Sequence, residues 1–332
     1  MTAARATTRQ PFLAGARHRF GGSSAAPIYA VLAVMAIVSY VLIGSRFLTP
    51  GNLLSIVERS VALGIVAAGQ TVAILAGSLD LSVAYLISVT AVIASVVMNG
   101  DPDKMLLAVG VVAAIGVVVG LVNGAIITKL RVNAFIATLG VGLVLRGLLT
   151  ATFDNFAGSV PVEFQTLGYG SVGPLPISVL MLVGFVALVW LLLRFTRFGH
   201  HVYAVGGSEE TARLSGVRSH RVIIGVHVLV SLSAVLTGLF LASRLRAGAP
   251  WIGPAGGYDL ESIAAVVVGG TALAGGRGGV MGTMAGVLIL AVLDNVFNLL
   301  QVNAFYKDII RGVIIVGAVA VYALRSRRAV TA

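Results

Sequence analysis

Ten apolar stretches, separated by short polar or glycine-rich breaks, constrain this 332-residue chain more than any other feature. They cover residues 28–44, 60–78, 81–98, 105–128, 133–151, 175–193, 222–243, 259–274, 279–300 and 308–324. A helix needs about 20 apolar residues to cross the hydrocarbon core of a bilayer. A transmembrane barrel strand needs only about ten, with alternating polarity. These runs are too long and too uniformly apolar for a barrel. Backbone polar groups in hydrocarbon find no water, so each run must satisfy its own hydrogen bonds by forming a helix. Only 11% of the residues are charged, against about 25% in soluble domains. The reading is an all-α, polytopic membrane bundle of about ten transmembrane helices.

The chain carries a net charge of +11. In a soluble protein that excess suggests nucleic acid. In a membrane protein it reads as the bias of Lys and Arg toward the cytoplasmic side. Residues 1–27 hold Arg5, Arg9, Arg17 and Arg19 and no acid. The apolar stretch that follows runs on to Ile43, with no small-residue cleavage site at 44–49, so it reads as a retained first helix rather than a signal peptide. An inside N-terminus, followed by strict alternation, gathers most of the basic residues on one side. These are the tail, Lys129, Arg131, the five arginines between 194 and 221, Arg277, and Arg325, Arg327 and Arg328. Asp101, Asp103 and the base-free loop 152–174 fall outside. The expected organisation is a cytoplasmic basic tail (1–27), a membrane domain (28–325) and a cytoplasmic tail (326–332), with both termini inside. Loop 152–174, with Asp154 and Glu163, reads as an ordinary external loop or a receptor-docking surface.

Two glycine series recur at four-residue spacing: Gly116, Gly120 and Gly124, and Gly278, Gly282 and Gly286. Such stripes let helix backbones approach closely in lipid, so they are read as packing devices. Two polar interruptions are more informative: Leu75-Ala76-Gly77-Ser78-Leu79-Asp80-Leu81-Ser82-Val83 and Leu273-Ala274-Gly275-Gly276-Arg277-Gly278-Gly279. A carboxylate at membrane depth costs at least about 2.5 kcal/mol, so it faces partners or a water-filled path. Asp80 is read either as a cap on the following helix or as part of a gate, together with Ser82. The two interruptions align Leu75-Ala76-Gly77 with Leu273-Ala274-Gly275, a weak internal echo. A second echo, Val132-Asn133-Ala134-Phe135 against Val302-Asn303-Ala304-Phe305, has a different offset and is read as chance.

The longest inside connection, 194–221, holds a short helix in its pattern. Ser208 suits the N-cap, Glu209 and Glu210 the first turn, Arg213 the later part and Gly216 the stop, with small Ala212 on one side. A short capped helix projecting from a membrane protein suits docking into a soluble partner's groove; the alternative is a helix lying on lipid.

The run Val202-Tyr203-Ala204-Val205-Gly206-Gly207-Ser208-Glu209-Glu210-Thr211-Ala212-Arg213-Leu214-Ser215-Gly216-Val217 resembles the cytoplasmic coupling segment of ribose/galactose-type ABC importer permeases. Gly77-Ser78-Leu79-Asp80-Leu81-Ser82-Val83 is similar to that family's G-G-I-D-L-S-V-G. Phe135-Ile136-Ala137-Thr138-Leu139-Gly140 with Arg146-Gly147, and Ala264–Thr271 with Gly275–Gly278, resemble two further family motifs. Ser78, Tyr85, Ser208 and Thr211 depart from the pattern. The resemblance implies the membrane-spanning permease subunit of an ATP-driven sugar importer in the bacterial inner membrane. It implies a separate ATPase that carries ATP and Mg, a periplasmic or lipid-anchored sugar-binding protein, and a second permease copy. Under it, Ser208, Glu209, Glu210, Ala212, Arg213, Ser215 and Gly216 contact the ATPase, and Asp80, Ser82, Tyr85, Phe135, Thr138 and Asn295 are candidates for the translocation path.

Enzyme and ion-driven readings are weaker. The chain lacks cysteine, and no G-x-x-x-x-G-K-[ST] phosphate loop occurs. No catalytic residue and no metal site is expected. The histidines His18, His200, His201, His220 and His227 form no H-E-x-x-H motif, and no serine–histidine arrangement is expected to converge. Only Asp80 and Asp294 lie well inside the spans, too few acids for evident ion coupling.

Overall fold

The computed structural model describes residues 26–303 without a break and residues 305–307, 309–310, 312–313 and 317 beyond them. The tail 1–25, most of the stretch 308–324 and the basic residues Arg325, Arg327 and Arg328 lie outside the described residues. The architecture is all-α. Nine of the expected apolar stretches correspond to α1 (Ala26–Ile43), α2 (Pro50–Leu75), α3 (Val83–Met98), α4 (Met105–Lys129), α5 (Ala134–Thr150), α7 (Ile177–Phe195), α10 (Ser219–Leu245), α12 (Tyr258–Val268) and α13 (Val280–Leu299). Between them lie α6 (Val162–Tyr169), a two-stranded hairpin (β1, Ser171–Val172; β2, Leu175–Pro176), α8 (Arg197–Gly207), α9 (Glu209–Leu214) and α11 (Ile252–Ala255). Six helical segments among the described residues are long and apolar enough to cross a membrane; α3 and α5 are shorter apolar helices.

The core is the junction of α2, α3, α10 and α13. Residues 60–75 of α2 are buried without exception, and α10 buries residues along its whole length. The outer faces of α1, α4, α5 and α7 carry exposed Leu, Ile, Val and Phe, as expected where lipid rather than water is the solvent.

Glycine sets the closest packing. Gly116, Gly120 and Gly124 of α4 lie against α10, where a Cβ on Gly120 would sit 2.5 Å from Val228 Cα and 2.8 Å from the His227 carbonyl. The second stripe does not form one helix face. Gly282 and Gly286 of α13 press against the end of α12, but Gly278 precedes the helix in an open conformation at φ +126°.

The expected span 259–274 also needs correction: α12 stops at Val268. Gly270 takes φ +82° and donates to Val267 O, while Thr271 donates to Val266 O. This left-handed exit satisfies helix-end carbonyls and closes the helix. The second sequence echo has a structural counterpart. Arg131 and Gln301 both take left-handed conformations, at φ +54° and +55°, and Asn133 and Asn303 each accept from the backbone N–H two residues on. The same joint therefore follows α4 and α13. The offsets of the two echoes differ because α3 and α4 both separate break from joint in the first half, whereas α13 alone does so in the second.

The bundle has two distinct ends, set by α10. This helix of 27 residues spans about 40 Å at 1.5 Å per residue. Its start adjoins α8 and α9. Its far end is covered by residues 157–176: Tyr169 donates to Arg244 O, Arg244 and Arg246 stack on the Tyr169 ring at 4.9 and 5.3 Å, and Ala157 pairs with Gly248.

Replacing Gly120 by Ala tests the α4–α10 contact. Overpacking against backbone costs about 1–3 kcal/mol, so G120A is expected to lower the thermal midpoint of the detergent-purified protein. Gly110 of the same helix has open space beside it, and G110A is expected to leave the midpoint unchanged.

Candidate functional site

The two sequence interruptions meet at one place. Helix α2 ends at Leu75, Gly77 turns left-handed at φ +76°, and Gly77 and Ser78 donate to Ile74 O and Ala73 O. This is the same exit as at Gly270. It leaves the Leu75 carbonyl unsatisfied by its own helix, and the Gly276 N–H supplies the missing bond at 2.9 Å. Gly275 and Gly276, at φ +86° and +71°, bring that N–H into reach. The ends of α2 and of the 269–279 segment are thus joined backbone to backbone.

Helix α8 packs on this joint through bare glycine. A Cβ on Gly206 would collide with the Leu75 carbonyl, and one on Gly276 would lie 2.8 Å from Gly207 N and Cα. The Tyr203 hydroxyl, one turn earlier in α8, donates to Gly278 O at 3.0 Å. Burial pushes the Tyr203 phenol above its ordinary range, partly offset by Arg194, so it stays a donor at neutral pH. Helix α9 follows at once. Ser208 caps it, accepting from Thr211 N at 3.2 Å. Gly216 ends it at φ +83°, with Val217 donating to Ala212 O. Glu209, Glu210, Arg213 and Ser215 are exposed and Ala212 is buried. Leu214 is 84% exposed at the helix end. Ser219, the first residue of α10, donates to Glu209 Oε1 at 2.8 Å.

Asp80 lies in the same break, fully buried. It does not cap α3: the N-cap position is Ser82, whose side chain makes no cap bond. Asp80 Oδ1 instead accepts from Ser82 N at 2.9 Å and Ser82 Oγ at 2.6 Å, folding the turn on itself. Its Oδ2 accepts from Asn123 Nδ2 of α4 at 3.2 Å and lies 3.0 Å from His227 Nδ1 of α10. His227 Nε2 lies 2.9 Å from Ser78 Oγ. A serine, a histidine and a carboxylate therefore do converge, contrary to the sequence reading. All three side chains are buried in a packed interior, and Ser78 is only 5% exposed, so no substrate reaches its hydroxyl. The arrangement has the connectivity of a hydrolase triad without its access. With Asn123, it ties two helices, α4 and α10, to the break. Nothing in the pattern around His227 distinguished it from a core histidine; only the fold brings it to Asp80 across 147 positions.

The remaining candidates separate. Thr138 of α5 joins the break, accepting from Leu81 N at 3.1 Å. Tyr85 lies against Gly142 of α5. Phe135 faces outward, 49% exposed. Asn295 pairs reciprocally with Asn52 of α2 at 2.8 and 3.2 Å, and none of the Asp80 hydrogen bonds reaches it.

The fold and this site define a multi-pass helical membrane protein with two broken helices joined beneath a projecting surface helix. Residues 52–319 match the family described as the permease component of branched-chain amino acid transport systems. The chain belongs to this family. It is 39% identical over 303 residues to the ribose import permease protein RbsC of Escherichia coli K12, covering 89% of this chain and 92% of that protein. It is 38% identical over 297 residues to RbsC of Bacillus subtilis, covering 88% and 90%. It is 37% identical over 257 residues to the L-arabinose transport system permease protein AraH of Escherichia coli K12, covering 77% of each chain. No solved structure matches.

Removing the Asp80 carboxylate leaves the groups around it without their acceptor. A buried donor left without its acceptor costs about 1–3 kcal/mol, and several donors share Asp80. Asp80→Ala is therefore expected to lower the thermal midpoint strongly, and Ser82→Ala, which leaves the contacts of Asp80 Oδ2 in place, much less. Equal losses in the two variants would show that the Asp80 bonds do not hold the break.

Proposed function

We propose that this chain is the pore-forming permease subunit of an ATP-driven importer for a monosaccharide or related polyol, in the bacterial inner membrane. The observation that carries the reading is the physical continuity between α9 and the two breaks. Helix α9 offers an exposed, capped, acidic-to-basic surface ending in Leu214, and α8 connects it to the Leu75–Gly276 joint within a few residues. A partner gripping α9 thereby acts on both broken helices. Ten membrane passes with both termini on the α9 side account for the distribution of basic residues. A separate ATPase subunit docks on residues 208–216 and holds the ATP and Mg. A binding protein delivers sugar at the opposite end of α10. A second permease copy completes the pore across the exposed apolar faces. Ribose and arabinose in the names of the relatives support a sugar; the family description names branched-chain amino acids.

Uptake by proteoliposomes containing the permease with its ATPase and binding protein tests the substrate class. Radiolabelled D-ribose or L-arabinose is expected to accumulate with ATP; accumulation of leucine or valine instead would replace sugar by amino acid. The docking surface is tested by Glu210→Arg with Gly216→Pro. Proline cannot adopt the positive φ of Gly216, and the reversed charge opposes an acidic first turn. ATPase co-purification and uptake are expected to vanish while membrane abundance holds. Normal co-purification would refute docking at 208–216.

A further inference from the structure

We infer that His227 is a positioning residue for transport: a two-ended latch that fastens the Asp80 turn to α10 and so makes motion of α9 felt at the break. The inference rests on the importer reading above and names a device within it.

The Asp80 turn is held from two directions. Its backbone start, Leu75–Gly77, touches Gly206 and Gly276. Its side chains are held by α10, through His227 Nδ1 to Asp80 at 3.0 Å and His227 Nε2 to Ser78 at 2.9 Å. Helices α8 and α10 are the two that flank α9 in the chain. Ser219 begins α10 with a hydrogen bond to Glu209 of α9. His227 follows eight residues later, about 12 Å along the axis. Between them α10 is unbroken helix, stiff on this scale. A displacement of α9 then reaches the break through α8 at the backbone and through α10 at the side chains.

Imidazole suits the task because its two nitrogens face opposite ways. Nδ1 faces the Asp80 carboxyl group and Nε2 the Ser78 hydroxyl, which can donate or accept. The carbonyl of His227 lies at the closest approach of α4, opposite Gly120. The ring therefore swings from a backbone point that close packing fixes. Among the described residues, His227 alone is hydrogen-bonded from α10 to both Ser78 and Asp80.

The two halves of the latch can be removed separately. An asparagine amide places a donor where Nδ1 was, and a glutamine amide reaches toward the Nε2 position. His227→Asn thus keeps the Asp80 end, His227→Gln the Ser78 end, and Ser78→Ala removes the second without touching α10. The complete complex, reconstituted with its ATPase and binding protein, is assayed for ATP hydrolysis and for uptake of radiolabelled D-ribose or L-arabinose, whichever the wild type accumulates. In all three variants the sugar moved per ATP is expected to fall about tenfold, within the usual range of coupling between linked sites. Hydrolysis and the ATP concentration for half-maximal rate are expected to stay near the wild-type values. A wild-type ratio in an assembled His227 variant would overturn the proposal. So would a proportional fall of hydrolysis and uptake, which marks a merely structural role. Should neither His227 variant assemble, Ser78→Ala decides alone, and an unchanged ratio there also overturns it. A wild-type complex whose ATPase ignores sugar-loaded binding protein would sink the importer reading itself, and the latch with it.

Discussion

An unpaired backbone carbonyl in a nonaqueous interior is costly, and this fold is organised around one of them. Helix α2 must stop short of the break that carries Asp80. Its left-handed exit at Gly77 satisfies two of its last carbonyls but not that of Leu75. The donor is Gly276, from a segment two hundred residues on in sequence terms. For that bond to form, two further glycines must turn left-handed and α8 must approach without a Cβ at Gly206. The position of α9 at the surface follows, because it starts one residue after α8 ends.

The buried carboxylate poses the same problem in a stronger form. An ionised group without partners in an apolar medium costs far more than any one packing defect. Asp80 meets it with groups from three places: Ser82 in its own turn, Asn123 on α4 and His227 on α10. Oδ1 fixes the turn itself, and Oδ2 fixes two further elements, α4 and α10. The small residues of α4 allow it to come close enough to α10 for Asn123 and His227 to reach the same oxygen. Polar satisfaction and glycine packing are therefore one arrangement, since neither geometry is available without the other.

The relatives carry transport names for different small molecules, ribose, arabinose and, in the family description, branched-chain amino acids. The elements joined at the Leu75–Gly276 contact are backbone and glycine. Such a joint makes no demand on the chemistry of a transported solute.

Much of this was legible in residue order. Apolar run length alone implied membrane helices, because hydrocarbon leaves the backbone no other choice. Ser208, the acidic pair after it and Gly216 marked α9, because caps and left-handed stops are local chemistry satisfied within a few residues. Local signals failed where the decisive partner was distant. Ala274 looked like the end of a helix that in fact closes at Gly270, and Gly278 looked like part of a stripe that the chain leaves before α13 begins. Asp80 read as a helix cap or as part of a gate, and residue order did not show that its second oxygen meets α4 and α10. His227 carried no motif. Helix existence, the capped surface helix and the need for a polar solution at Asp80 belong to the sequence, since each depends on neighbours along the chain. Which groups supply that solution, and that the two breaks share one hydrogen bond, belong to the tertiary structure. Those contacts join residues far apart in order, and only the packing of α4 and α8 onto glycine brings them within reach.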